Sequence, residues 1–593
     1  MKEFMTGNEA VARGAYEAGC SFASAYPGTP STEILENVVQ YKENIYCEWA
    51  PNEKVAAEVA IGACMTGSRS LAAMKHVGVN VAADPIFTLG YLGVNGGFVL
   101  VSADDPGCHS SQNEQDNRYY AKFAKIACIE PSNSQESKDM IKTAFEISER
   151  FDTAVLFRMT TRVCHSKGLV ELGEREEVGT KEYVKNPAKW IATPANAKIL
   201  HPVVEDRLLA LEDYANESEL NYFEWNDKKV GIISSGVAYT YAQEVFGDRA
   251  SYLKLGFTFP LPMKKIKEFA DQVETLYVIE ELEPYIEEQM KAAGIDCIGK
   301  AKIPRVGELN PDIIAKALLG EERETMSIAE DKKVGRPPTL CAGCPHRGFY
   351  YALKKKKNIV VTGDIGCYTL GAAEPLNSID SVVCMGGSIS MAHGAKKAFD
   401  FHGVEKRVVG VIGDSTFFHT GVNSLIDVAY NNSNTVTCIL DNRITGMTGH
   451  QENPGTGFTL MGEPAMEIDI PGLVKAIGIQ HVQHINPLDL KEVDEALEAA
   501  FAFDGPSVII TRWPCVLKSF SDADIKEFGL DKQKRCFVNE EKCRGCRICT
   551  KTGCPAISFN KETKLAFIDK NMCVGCEVCL QACPFDAIEL AGE

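Results

Sequence analysis

Eight cysteines crowd the C-terminal end of the chain in two runs. The first is Cys543, Cys546, Cys549 and Cys554-Pro555; the second is Cys573, Cys576, Cys579 and Cys583-Pro584. Thiolates are soft ligands, and steps of two intervening residues wrap three sulfurs around one face of a cubane. Eight of them at this spacing can hold two 4Fe–4S clusters. A pair of zinc ribbons would instead want four ligands in two separated pairs. Two like runs of four fit clusters better, and a chain holding two clusters moves electrons one at a time.

The runs resemble the C-x2-C-x2-C-x3-C-P pattern of bacterial ferredoxins, written twice. One departure is that four residues, not three, separate Cys549 from Cys554. The extra residue alters the loop over one cluster. The resemblance implies that each cluster takes its fourth sulfur from the other run. Cys543, Cys546 and Cys549 would then share a cluster with Cys583, and Cys573, Cys576 and Cys579 with Cys554.

A second constellation lies upstream. An apolar strand, Val408–Ile412, runs into Gly413-Asp414-Ser415; a helical stretch, Gly421–Tyr430, follows, and a strand from Thr435 to Leu440 ends in Asp441-Asn442. By itself Gly-Asp-Ser is more often a turn that caps a helix. With this spacing and context it resembles the thiamine diphosphate signature, which begins Gly-Asp-Gly and ends in an Asn. A turn after a parallel strand presents backbone N–H groups and a helix N-terminus to phosphate oxygens. Magnesium, the bridge between two phosphates, wants hard oxygen ligands. Asp414 would give a carboxylate, Asn442 an amide oxygen and Ile444 a main-chain carbonyl. Ser415 stands where the signature has glycine.

The chain as a whole resembles the 2-oxoacid:ferredoxin oxidoreductases, and within them the large (alpha) subunits of the indolepyruvate-oxidising branch. The segments that carry this are Tyr26–Thr32, Lys75–Asn80, Ser110–Arg118, Cys341-Ala342-Gly343-Cys344-Pro345-His346-Arg347, Gly363-Asp364-Ile365-Gly366-Cys367 and Leu440–Arg443. The resemblance implies an N-terminal block that holds the aminopyrimidine ring and a later block that holds the diphosphate. Glu53 matches the catalytic glutamate. Hydrogen-bonded to the aminopyrimidine, its carboxyl favours the imino tautomer, the base that removes the thiazolium proton. Read without the resemblance, Glu53 is an exposed glutamate in the first turn of a helix, and Glu58 is the alternative candidate. Thr29 matches a substrate-facing residue, although a turn threonine between prolines is as natural. Relatives that act on pyruvate carry an arginine after the strand equivalent to Phe98–Val101. Here that place is Asp104-Asp105, so carboxylate recognition comes from elsewhere and an aromatic side-chain pocket fits better than pyruvate.

Cys341, Cys344 and His346 are three candidate metal ligands with no fourth nearby, too few for zinc. The resemblance makes them a loop near the cofactor, together with Asp364, Gly366 and Cys367. The implied reaction joins an aryl pyruvate such as indolepyruvate, coenzyme A and oxidised ferredoxin to give an aryl-acetyl-CoA, carbon dioxide and reduced ferredoxin. The implied cofactors are thiamine diphosphate, Mg2+ and two 4Fe–4S clusters, and the implied partners a smaller beta subunit and a soluble ferredoxin. Alternatives are the same mechanism on another 2-oxoacid, a non-oxidative decarboxylase, and an electron-transfer subunit whose thiamine site has decayed.

These groups need scaffolds. Residues 1–180 alternate helical stretches (Asn8–Ala18, Ser134–Arg150) with short apolar strands (Leu71–Met74, Phe98–Val101), the βα rhythm of a parallel sheet covered on both faces. Residues 181–226 lose the rhythm and read as a mostly helical insertion. A transketolase C-terminal-like α/β unit follows at 227–304, with strands at Val230–Ser235 and Thr275–Ile279, then a connector at 305–335. The diphosphate block is 336–517, with strands at Ile359–Val361, Val408–Ile412, Thr435–Leu440 and Ser507–Thr511. A ferredoxin-like α+β tail covers 534–593. The fold class is α/β, multidomain.

At 593 residues the chain exceeds one core. Its net charge of −19 argues against nucleic-acid and anionic-membrane partners, and Lys354–Lys357 reads as a solvated helix end. The uncharged stretch Pro85–Ala103 is glycine-rich and reads as a buried helix running into a strand, not a membrane span. The N-terminus lacks a signal layout, so the expected location is cytoplasmic, in a reducing and anaerobic setting. Of 22 cysteines, those outside the runs are expected to be buried reduced thiols.

Overall fold

The apolar runs read at the N-terminus become a seven-stranded sheet. Its order is Phe257–Phe259, Ala127–Ile129, Val155–Thr160, Phe98–Asp104, Ser70–Lys75, Phe22–Ala25 and Tyr46–Trp49. All neighbours are parallel except the first pair. The central strands are buried along their whole length, which is why they appear as unbroken apolar runs rather than alternating ones. The computed structural model describes residues 1–322, 328–520, 522–530 and 534–591. The chain divides into two units, Met1–Ile328 and Ala329–Glu593.

In the first unit the helix Gly7–Glu17 starts from a capping box, with Glu9 N–H on the Thr6 hydroxyl (3.1 Å) and Thr6 N–H on the Glu9 carboxylate (2.6 Å). The stretch read as buried helix into strand is the helix Ala83–Leu92 followed by the strand Phe98–Asp104. Residues 181–226 carry the helix Pro194–Glu217. The second sheet runs Thr275–Ile279, Val230–Ser235, Ser251–Leu255, Asn221–Glu224, the last antiparallel. Its edge strand begins six residues before the expected boundary at 227, because Asn221–Glu224 alternates in burial and sits in charged surroundings that hide it. The expected connector is shortened too. Leu309, Ile314 and Leu318 pack into the core of this sheet with Ile232 and Tyr252, and of the remainder residues 323–327 lie outside the described part.

A buried ionic network joins the two sheets of this unit. Arg158 donates to Asp104 (2.8 Å) and Glu130 (3.0 Å), and Arg118 to Glu280 (2.8 Å) and Asp116. Pairs this deep roughly break even in stability, but leaving one partner alone costs several kcal/mol. They therefore fix how the sheets meet.

The second unit is built on a five-stranded parallel sheet, Ile359–Thr362, Arg407–Gly413, Val436–Asp441, Ser507–Arg512, His481–Ile485. The last strand escapes sequence reading, since His481 and Gln483 make it polar on one face. The tail adds two antiparallel pairs, Arg535–Val538 with Ile588–Ala591 and Ile557–Phe559 with Ala566–Ile568; residues 592–593 lie outside the described part. The run Lys354–Lys357 does end a helix, His346–Leu353, but it is not simply solvated. Lys356 lies 2.7 Å from both Asp494 and Glu498. Among the described residues no helix is long and apolar enough to cross a membrane.

Candidate functional site

The strand Arg407–Gly413 delivers Asp414 to the start of a helical run that continues to Tyr430. Asp414 is 3% exposed, and Asp441 lies close enough that the two carboxylates raise each other's cost of ionisation. Burial is the larger cause, and both are pushed above the usual carboxylate range. The loop after Asp441 folds back over this point. Asn453 Nδ2 donates to Asp414 (3.1 Å), the Thr445 hydroxyl to Ser415 Oγ (3.0 Å), and Ile444 N–H to Asn442 Oδ1 (3.3 Å). Two buried carboxylates with amide oxygens around them fit a hard cation, and Asp414, Asn442 and Ile444 are the residues that would hold it. A helix start after a parallel strand is suited to phosphate.

Tyr368 shapes this corner. Its hydroxyl donates to the Ile365 carbonyl (2.6 Å) and lies 2.7 Å from Thr416 Oγ1. The ring covers both Gly366 and Gly413, where an added Cβ would stand 2.4 Å from Tyr368 Cε1. Gly366 is thus a packing partner of Tyr368. We expect Gly413→Ala to push the pinned ring aside at a cost of about 1–3 kcal/mol, seen as a lower Tm and weaker thiamine diphosphate binding by calorimetry. Asp364 has a structural part of its own. Its carboxylate accepts N–H groups of Ile365 (2.8 Å), Gly386 (2.6 Å) and Ser388 (2.9 Å), so it braces the start of the helix Ser388–Phe401.

The Cys341–His346 loop holds the largest correction. A fourth thiol does lie nearby. Cys515, in the turn after the strand Ser507–Arg512, joins Cys341, Cys344 and Cys367, each within electrostatic reach of others in the group. Cys515 N–H donates to the Asn442 carbonyl (3.0 Å), which sets the group beside the cation site. Burial pushes the Cys367 thiol up to about 11 and raises Cys344 and Cys515 as well. Among the described residues no three His, Cys, Asp or Glu side chains form a group that could hold a metal ion. Thiols gathered in one group are soft donors, the chemistry that iron–sulfur clusters use. His346 is not part of it. Fully buried, its ring nitrogens have no partner among the described residues, and burial lowers its pKa to about 4, so it packs as a neutral ring edge-on to Tyr368.

Arg347 connects this loop to the tail. It is 2% exposed and donates to the carbonyls of Cys341 (2.9 Å), Leu340 and Thr552 (3.2 Å). The ionisable groups that act on this guanidinium are thiols, Cys554 and Cys576 of the tail and Cys344 and Cys341 of the loop. The extra residue between Cys549 and Cys554 finds its purpose here. Cys549–Thr552 forms a 3-10 turn that ends at Gly553 in the left-handed region (φ 71°), and a Cβ there would meet Arg347 Nη1 at 3.1 Å. Lys354 Nζ donates to the neighbouring Lys551 carbonyl (2.8 Å).

Within the tail the thiols group across the two runs. Cys549 faces Cys583, Cys546 and Cys543, which together line one cavity; Cys576 faces Cys554 and Cys573. Backbone N–H groups of Cys536 (3.3 Å) and Gly575 (3.4 Å) point at Cys573 Sγ, and that of Ala587 (3.4 Å) at Cys583 Sγ. These thiols fit clusters. Elsewhere the expectation of buried thiols fails at Cys108, Cys341 and Cys384, which are exposed.

In the first unit, Glu53 opens the helix Glu53–Met65, which Asn52 caps through Val55 N–H (2.9 Å). Glu53 is 6% exposed, so it is not a solvated first-turn glutamate. Its Cγ lies against Gly78, where an added Cβ would come within 2.7 Å. Glu58 is exposed and paired with Lys54. Thr29 follows the strand Phe22–Ala25, and its carbonyl accepts from the Ser110 hydroxyl (3.5 Å).

Three family models match the chain. One described as "Pyruvate flavodoxin/ferredoxin oxidoreductase, thiamine diP-bdg" covers residues 13–221. "Thiamine pyrophosphate enzyme, C-terminal TPP binding domain" covers 364–511, and "4Fe-4S binding domain" 566–589. The chain is similar to the indolepyruvate oxidoreductase subunit IorA of Archaeoglobus fulgidus, with 41% identity over 95% of this chain and 93% of that one. It is equally similar to IorA of Pyrococcus horikoshii, 41% over 100% and 97%. A solved 2-oxoglutarate:ferredoxin oxidoreductase of Magnetococcus marinus matches 54% of this chain and 65% of its own at 16% identity, with a TM-score of 0.46.

Proposed function

The chain belongs to the indolepyruvate oxidoreductase IorA family, and from that membership we propose how its residues serve the oxidation of aryl pyruvates to acyl-CoA with ferredoxin as electron acceptor. The enzyme is a thiamine diphosphate-dependent iron–sulfur oxidoreductase. The observation that carries this reading is the presence on one chain of both thiamine-binding regions and the eight-cysteine tail. A non-oxidative decarboxylase would have no use for the tail, and a decayed thiamine site would not keep Asp414, Asn442 and a buried Glu53 together with their supports.

Thiamine diphosphate, when bound, supplies a carbanion that attacks the 2-oxo carbonyl and retains the electron pair left by departing carbon dioxide. The residues of this chain do the rest. Asp414, Asn442 and Ile444 would hold Mg2+ and, through it, the diphosphate. Glu53 holds a proton at the aminopyrimidine, and Gly78 leaves its carboxyl room against the helix. The tail thiols would hold the clusters that accept electrons, and Cys515, of the Cys341, Cys344, Cys367, Cys515 set, bonds the Asn442 carbonyl. The relatives are named as subunits, which supports a partner subunit for this chain. We infer that it is a smaller beta subunit and that the acceptor is a soluble ferredoxin.

The test is anaerobic viologen reduction by the chain purified with its beta subunit, in the presence of thiamine diphosphate, Mg2+ and coenzyme A. Coenzyme A-dependent reduction is expected with indolepyruvate and phenylpyruvate, and little with pyruvate or 2-oxoglutarate. Reduction mainly with the latter two would keep the mechanism and overturn the aryl specificity.

A further inference from the structure

A 2-oxoacid brings a carboxylate, and the arginine that would receive it is absent. Asp104 and Asp105 stand in its place, and both are engaged. Asp104 accepts from Arg158 Nε (2.8 Å) and Asn117 N–H (3.0 Å); Asp105 accepts from Ser110 N–H (2.8 Å), the Ser111 hydroxyl (2.5 Å) and the Thr161 hydroxyl (2.7 Å). Some other cation must face the substrate.

Lys75 ends the strand Ser70–Lys75, at the carboxyl edge of the parallel sheet, where open α/β sheets bind their ligands. It is 9% exposed, and its ammonium donates to the Ser110 carbonyl. Among the described residues no carboxylate closes an ion pair with it. A buried charge without a partner is costly, and such a group is matched when an anion arrives. Its surroundings are those of the expected chemistry. The Lys75 Cβ lies 3.1 Å from where Gly28 would carry a Cβ, next to Thr29, and Ser110 bonds both Lys75 and Thr29. Lys75 also immediately precedes the helix His76–Val81, whose Gly78 touches Glu53. The charges facing it are Asp105, Cys108 and Glu53, with burial holding the ammonium below the ordinary lysine value.

We propose that Lys75 receives the carboxylate of the 2-oxoacid in place of the missing arginine, a step that rests on the thiamine-dependent reading above. An ammonium is a compact point charge on a flexible stem rather than a bidentate fork. It can hold a carboxylate that must leave as carbon dioxide without binding it rigidly.

The test uses the complex with its partner subunit. Lys75→Met is expected to raise KM for indolepyruvate at least tenfold. It should also abolish the preference for indole-3-propionate over indole-3-propionamide as inhibitors. Bound thiamine diphosphate and the rate of thiazolium C2–H exchange in deuterium oxide, which need no substrate, should be unchanged. Lys75→Arg should recover much of the KM. Should Lys75→Met not assemble, Lys75→Gln, which keeps the bond to the Ser110 carbonyl, carries the same comparison. An unchanged KM, an intact acid-over-amide preference, or a loss confined to C2–H exchange would overturn the proposal. Absence of C2–H exchange and of viologen reduction in the unsubstituted enzyme would instead overturn the thiamine-dependent reading itself.

Discussion

Glu53→Gln is expected to lower kcat by about 10²- to 10⁴-fold, the usual worth of a positioned general acid–base group, and to leave thiamine diphosphate bound. Glutamine has nearly the shape of glutamate, so the packing against Gly78 and the helix cap by Asn52 should survive. What it lacks is a carboxyl proton to share with the aminopyrimidine. C2–H exchange should therefore slow with the same factor as turnover, since both need the thiazolium proton removed. Glu58→Gln is the control. Exposed and paired only with Lys54, it should shift stability by less than about 0.5 kcal/mol and leave kcat alone. Equal effects of the two substitutions would sink the assignment of Glu53.

The second large effect concerns the tail. Cys583→Ala should strip the cluster of the first run and spare the other, although Cys583 sits in the second run. Cys554→Ala should do the reverse. The grouping of Cys549 with Cys583 and of Cys576 with Cys554 is the basis. Electron paramagnetic resonance of the reduced protein would separate the two signals, and each variant should retain one of them. If Cys583→Ala and Cys573→Ala erased the same signal, each run would hold its own cluster. Iron analysis adds a further reading. Two 4Fe–4S clusters contain eight irons, and a higher content per chain that falls in Cys515→Ala would report iron on the Cys341 set.

The chemistry that is local in sequence was legible there. The cysteine runs, the strand into Gly413-Asp414-Ser415, and the strands at Phe98, Val230 and Ser507 all show in short windows, because spacing and apolar runs are short-range signals. What depends on strand order was not. Cys515 lies far along the chain from Cys367, and nothing near it forms a motif. It arrives because Ser507–Arg512 pairs beside Val436–Asp441 and its following turn bonds back to Asn442. The same limit hid the pairing of Asn221–Glu224. Asp364 shows the opposite failure: the motif containing it was visible, but only the folded loop reveals that backbone N–H groups occupy its carboxylate. Lys75 stood inside a recognised segment, yet its want of a carboxylate partner is a property of the fold.

The turn made by the extra residue has one more consequence. Electrons tunnel through protein at rates that fall steeply as the gap widens, so a tail on a loose tether would pass them only in its closer moments. Arg347 on the Thr552 carbonyl and Lys354 on the Lys551 carbonyl remove that freedom. Clusters held by the tail thiols would therefore keep a set distance from the Cys341 loop.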